Sequence, residues 1–180
     1  MTEVSFLYGE LIFTGIWIVL RILVWIQQKK IDWKREAALL LMFINLAVII
    51  RLVYFPFFMV EGHVQPLIVN LRATGPYRIN LTPFVHIVDY SSRKELLINI
   101  LGNMCMFIPT GILLPILYKK LDRFWKVVLV GLSMSLMIEL SQLLWCPTNV
   151  TDIDDLMLNT LGAAIGYGIY YLCRPRRKRS

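Results

Sequence analysis

Charged residues are scarce in this sequence, and their scarcity excludes an ordinary soluble domain. Only 17% of the 180 residues are Asp, Glu, Lys or Arg, whereas 57% are hydrophobic, and the mean hydropathy is +0.62. Soluble domains carry about 25% charged residues, and one core of this size cannot bury so much apolar surface. The composition therefore predicts an integral membrane protein.

Cysteine is also rare, and its pattern excludes two common kinds of site. Cys105, Cys146 and Cys173 are an odd number of residues at unrelated spacings, so neither a disulfide framework nor a zinc site is indicated. The sequence likewise offers no Ser–His, Cys–His or metal-ligand constellation. These residue types predict no cofactor, and any enzymatic reading of the chain has to rely on its carboxylates.

Long apolar runs make up most of the chain. Five of them are long enough to cross a hydrocarbon core of about 30 Å as helices. They comprise residues 5–26, 37–58, 96–118, 127–145 and 156–172. We predict an all-α, polytopic membrane helix bundle of about five transmembrane helices, with a kink at Pro109 in the third span.

The distribution of basic residues predicts the orientation of these spans. Residues 29–35, 119–126 and 174–179 contain 13 of the 19 Lys and Arg residues. Short cytoplasmic loops hold such an excess, so the N-terminus is predicted outside and the C-terminus inside. This topology accounts for the net charge of +7 without nucleic acid, and the expected partners of the basic tail, residues 173–180, are anionic inner-leaflet lipids.

The segments between the spans complete the predicted organisation. Residues 1–60 hold two N-terminal transmembrane helices, and residues 61–95 form an outer segment. Within it, residues 79–88 are apolar but too short to cross, so we expect an interfacial or re-entrant piece. His86 in this piece is read as an ordinary interfacial histidine.

Polar residues inside the spans gather at one predicted depth. At about 1.5 Å of rise per residue, six of them fall within roughly 12 Å of the external surface. They are Arg51, Asn99, Asn103, Glu139, Asp155 and Asn159. Ionisable residues inside a span are candidates for function, because their insertion is unfavourable. We predict a shared chamber that opens to the outside, in which Arg51 pairs with Glu139.

The stretch from Thr151 to Gly166 carries the densest pattern. Asp152, Asp155, Asn159, Gly162 and Gly166 recur every three or four positions and so share one helix face. Glycines four residues apart allow a second helix to approach closely.

The functional reading of these polar residues has structural alternatives. Amides such as Asn159 often only bridge neighbouring membrane helices. Asp152, Asp154 and Asp155 are compatible with a simple helix cap, and also with a Mg²⁺ or Ca²⁺ site.

Several motifs together resemble the VanZ-like family. In order, they are Asn80-Leu-Thr-Pro-Phe84, Asn99-Ile-Leu-Gly-Asn103, Phe107-Ile-Pro-Thr-Gly111, Glu139-Leu-Ser-Gln142, Asp152-Ile-Asp-Asp155 and Asn159-Thr-Leu-Gly162. The resemblance covers residues 80–172. It implies a multi-pass protein of the bacterial cytoplasmic membrane, whose relatives accompany resistance to teicoplanin-type glycopeptides, and it implies no reaction. Asn149 stands where the family pattern has a basic residue, which weakens an anion-binding role for that loop.

Three functional hypotheses follow. The first is a site for an anionic or lipid-linked envelope component, such as a lipid-linked cell-wall precursor, in the outer leaflet. Its contact residues would be Arg51, Asn80, Asn99, Asn103, Glu139, Gln142, Asp152, Asp154, Asp155 and Asn159. The second is an enzyme with Glu139 or Asp155 as general base. The third is a scaffold that packs against other membrane proteins or a second copy of itself.

Overall fold

The described part of the chain is mainly helical. The computed structural model describes residues 3–28, 30–54, 59–60, 63–64, 68–70, 78–84, 93–145 and 150–174. Within these ranges it contains five helices, each long and apolar enough to cross a membrane. They are α1 (Phe6–Gln27), α2 (Trp33–Tyr54), α3 (Arg93–Leu117), α4 (Phe124–Trp145) and α5 (Ile153–Cys173). The predicted all-α, polytopic fold is confirmed.

Local capping explains where one of these helices begins. α2 starts at Trp33, four residues before the predicted boundary at Ala37. The Asp32 carboxylate accepts the backbone N–H groups of Lys34 at 3.1 Å and Arg35 at 3.3 Å. These two donors have no partner within a helix, so the Asp32 cap extends α2 toward the polar border of the span.

Short strands occupy parts of the chain outside the helices, where the sequence predicted none. β1 (Glu3–Ser5) pairs antiparallel with β4 (Ile68–Asn70), and β2 (Met59–Val60) pairs antiparallel with β3 (His63–Val64). β5 (Arg78–Asn80) pairs with β6 (Val150–Asp152), directly before α5. Backbone groups that leave a helix still need hydrogen-bond partners, and these pairs supply them. Residues 85–88 of the predicted interfacial piece, including His86, lie outside the described residues.

The chain forms two compact units. The first contains residues 1–78 and 141–149, and the second contains residues 79–140 and 150–180. In the first unit, Phe43 of α2 stacks on Phe13 of α1 at 5.1 Å between ring centroids and lies 4.8 Å from Trp17.

Arg21 and Glu36 join α1 to α2 in the same unit. The guanidinium donates to both carboxylate oxygens, with an Nε–Oε2 distance of 2.9 Å. The side chains are 15% and 10% exposed. An acid on the next helix therefore matches the charge of Arg21.

Glycines determine the packing of α3 against α5 in the second unit. A Cβ atom at Gly162 would collide with the Met104 carbonyl, and one at Gly166 would collide with the Ile108 carbonyl. A Cβ atom at Gly111 of α3 would likewise collide with the Ala163 carbonyl. The contact positions increase together along both helices, so α3 and α5 run parallel. The glycine stripe predicted on α5 is therefore occupied by a helix of the same chain.

Candidate functional site

The loop after β5 is bound to the start of α5. Asn80 Oδ1 accepts the Thr82 backbone N–H at 3.1 Å, and Asn80 Nδ2 donates to Asp152 Oδ1 at 3.1 Å. The Phe84 N–H donates to both oxygens of Asp154, at 3.0 and 3.1 Å. Phe84 has a φ of 65°, a left-handed conformation that is unfavourable for a bulky residue. The Asp154 carboxylate holds this backbone conformation in place.

Asp152 connects the loop to α4 as well as to α5. Its Oδ1 accepts the Asp154 N–H at 3.0 Å, so it is the N-cap of α5. Its own backbone N–H donates to Glu139 Oε2 at 3.1 Å. The Thr151 hydroxyl adds a 3.4 Å contact to the Glu139 carbonyl. Glu139 is only 4% exposed, so β6 and α4 bury its carboxylate between them.

Two amide side chains extend this network into the helices. Asn103 of α3 donates to Asp155 Oδ1 on α5. Deeper along α5, Asn159 Nδ2 donates to Ser135 Oγ of α4 at 2.9 Å. Asn159 is 2% exposed, and its Oδ1 has no hydrogen-bond partner among the described residues. The network therefore links all three helices of the second unit.

A groove of about 960 Å³ runs beside these polar residues. Its volume is at the upper end of the range for ligand pockets. The residues that line it from α3 are Leu96, Asn99 and Ile100, and those from α4 are Phe124, Trp125, Val128 and Leu132. The lining is completed by Phe84, by every residue from Asp152 to Leu158, and by Thr160, Leu161 and Ala164. Along α5 the lining extends for twelve residues, roughly 18 Å at about 1.5 Å per residue. Carboxylates and Asn99 lie at one end, and mostly apolar side chains line the rest.

The three acids of the predicted metal site have separate roles. Asp152 caps α5, Asp154 binds the loop at Phe84, and Asp155 accepts from Asn103. Within the described residues, no group of three or more His, Cys, Asp or Glu side chains is arranged to hold a metal ion. The acids therefore act as hydrogen-bond acceptors that organise the loop and the helices.

Arg51 and Gln142 belong to the first unit. Gln142 Nε2 donates to the Val53 carbonyl of α2 at 3.2 Å. The pairing of Arg51 with Glu139 stays a prediction. Asn99, by contrast, lies in the groove lining next to the acids.

Sequence reasoning missed a second polar cluster in this unit. Asp122, in the turn between α3 and α4, accepts from the Tyr167 hydroxyl at 3.4 Å and from Arg174 at 3.4 and 3.5 Å. Arg174 also lies 4.2 Å above the Tyr171 ring. The sequence did contain one indication of this cluster: Asp122 is the one acid in residues 119–126, which also contain four cations.

A comparison with known families confirms the resemblance seen in the sequence. The sequence model of the VanZ/LLP1 family matches residues 41–174. The chain belongs to the VanZ/LLP1 family. The matched range contains α2 from residue 41 onward, as well as the loop, the acids and the three helices that form the groove.

One curated relative is similar in part. Protein VanZ of Enterococcus faecium is 33% identical to this VanZ-family chain over 94 residues, which cover 52% of this chain and 53% of the relative. The match thus spans about half the length of that protein. No solved structure matches the chain.

Proposed function

We propose that this VanZ-family membrane protein binds a lipid-linked component of the bacterial cell envelope at the outer leaflet of the cytoplasmic membrane. Binding lowers the susceptibility of the cell to teicoplanin-type glycopeptides. One observation carries the proposal: residues of three family motifs, Phe84, Asn99 and Asp152–Asp155, line one end of a large groove whose remaining walls are mostly apolar.

The groove suits a ligand with a polar head and an apolar chain. Asp154, Asp155 and Asn99 at the polar end offer acceptors and an amide to hydroxyl or amide groups of a head group. Beyond this end the groove is lined by Leu132, Leu161 and other apolar side chains, which would contact a hydrocarbon chain. Of the two ligand classes inferred from the sequence, anionic and lipid-linked, the apolar walls favour the lipid-linked one.

The other functional hypotheses have less support from the geometry. Glu139 is buried and accepts the backbone N–H of Asp152, which favours a positioning role over that of a general base. The glycine stripes would suffice for the scaffold hypothesis, yet Gly162 and Gly166 contact α3 of the same chain.

Expression in a glycopeptide-susceptible Gram-positive host that lacks the gene tests the proposal. We expect the chain to raise the minimal inhibitory concentration of teicoplanin several-fold. Asp155→Asn should return it to the value of the empty vector at equal membrane abundance. Asp32→Asn, which removes the same charge from the cap of α2, is the matched control and should keep the effect.

Two outcomes would contradict the proposal. One is an unchanged inhibitory concentration when the wild-type chain is abundant in the membrane. The other is full activity of Asp155→Asn together with loss of activity in Asp32→Asn. A Glu139→Gln variant that folds but loses all activity, while it still retains co-purified lipid, would favour the enzyme hypothesis.

A further inference from the structure

The end of the groove opposite the acids lies beside a basic turn. We call residues 119–126 the basic turn; it contains Lys119, Lys120, Arg123 and Lys126, all of them exposed. Phe124 and Trp125, inside the same turn, line the groove. Along α5 the lining runs from Ile153 to Ala164, roughly 18 Å at about 1.5 Å per residue, so the two ends of the groove are far apart.

The one acid of the basic turn, Asp122, makes its contacts at the end of α5. Asp122 contacts Arg174 and the Tyr167 hydroxyl of α5. Because Arg174 matches its charge, the four cations of the turn keep their full attraction for an anion. Asp122 therefore positions the turn without cancelling its positive charge.

The backbone of the basic turn is ordered by its own hydrogen bonds. Lys119–Leu121 form a 3₁₀ turn, and Lys126 Nζ donates to the Lys120 carbonyl at 2.7 Å. α4 begins at Phe124, so its positive dipole end adds to the charge of the side chains. Trp125 is 73% exposed, as is common for aromatic residues at the level of lipid head groups.

We propose that this end of the groove binds an anionic glycerophospholipid. The basic turn holds the lipid phosphate, and one acyl chain lies in the groove along Val128 and Ala164. The charge complementarity selects the head group, and the apolar lining directly beyond Phe124 and Trp125 accepts the chain. This site is separate from the acidic end that the proposed function uses.

Native mass spectrometry of the full chain tests this proposal. The chain is released from nanodiscs in which phosphatidylglycerol and phosphatidylcholine are mixed at known ratios. We expect selective retention of phosphatidylglycerol. Arg123→Gln with Lys126→Gln should reduce that retention about fivefold for each cation removed. Lys34→Gln with Arg35→Gln removes two exposed cations from the first turn of α2 and should leave retention unchanged.

The acyl chain is tested by filling the groove. Ala164→Trp should lower retention of phosphatidylglycerol, whereas Leu129→Trp, at a position that is 58% exposed and outside the groove lining, should not. Equal losses in the Lys34/Arg35 and Arg123/Lys126 variants would overturn the proposal, as would full retention in Ala164→Trp. Preference for a polyprenyl phosphate over phosphatidylglycerol would also overturn it. The readout is lipid retention, so its failure is distinct from a failure in the teicoplanin test.

Discussion

Asp154 accepts the backbone N–H of Phe84 with both of its carboxylate oxygens, across 70 positions of sequence. This bond holds the Asn80–Phe84 loop against the first turn of α5. Because Phe84 adopts a left-handed backbone conformation, the loop depends on Asp154 to keep its shape.

Asp154→Ala is expected to release this loop without unfolding the helices. Hydrogen bonds to a charged group contribute about 1.5–3 kcal/mol, so local opening should become more frequent by at least tenfold. Hydrogen–deuterium exchange of the Phe84 amide measures it. Asp154→Asn keeps one acceptor and should show a smaller increase. Unchanged exchange in Asp154→Ala would contradict the bond.

Gly162→Ala is expected to destabilise the second unit strongly. The added Cβ would overlap the Met104 carbonyl, and backbone atoms on both sides cannot yield cheaply. Overpacking of this kind costs about 1–3 kcal/mol. Gly168→Ala on the same helix is the matched control, because a Cβ there meets nothing within 4 Å. Chemical denaturation in mild detergent should separate the two variants, and equal stability would argue against the close approach of α3 and α5.

Arg21→Leu and Glu36→Leu are each expected to destabilise the first unit, because each leaves one largely buried charge without its partner. Removal of one member of a buried pair costs about 3–5 kcal/mol, whereas replacement of both is often neutral. The double variant should therefore recover most of the lost stability. A double-mutant cycle measures the coupling energy of the two side chains from the thermal unfolding of the wild type, the two single variants and the double variant. Additive effects of the two substitutions would show that the pair contributes nothing to stability.

Ser135→Ala is expected to have a small effect despite complete burial of the site. Hydrogen bonds between membrane helices contribute about 0.6 kcal/mol on average. Asn159→Leu in the Ser135→Ala background should then cost no more than it does alone. The same denaturation assay measures both, and a loss above about 2 kcal/mol for Ser135→Ala would indicate a role beyond the bond to Asn159.

Much of the fold follows from the sequence, because hydropathy and length determine which segments can cross a membrane. The boundary of α2 differed because a single capping residue, Asp32, extends it. The proximity of Asn103 to Asp155 could be anticipated from helical spacing and common depth. Both residues lie on regular helices, to which the rule of three- or four-residue spacing applies.

Other features could not be anticipated by such rules. The bond between Phe84 and Asp154 depends on an irregular loop and on a backbone conformation that no residue pattern in Leu-Thr-Pro-Phe specifies. The Arg21–Glu36 pair depends on the angle at which two helices meet, which hydropathy does not contain. The groove depends on the same packing angles in the second unit, so the apolar residues of its lining carried no distinctive pattern.

The parallel arrangement of α3 and α5 has a consequence for biogenesis. The ribosome completes α3 well before α5 exists, and α4 has to cross back between them. The close contacts of Gly162 and Gly166 with α3 can therefore form only after translation has passed Cys173.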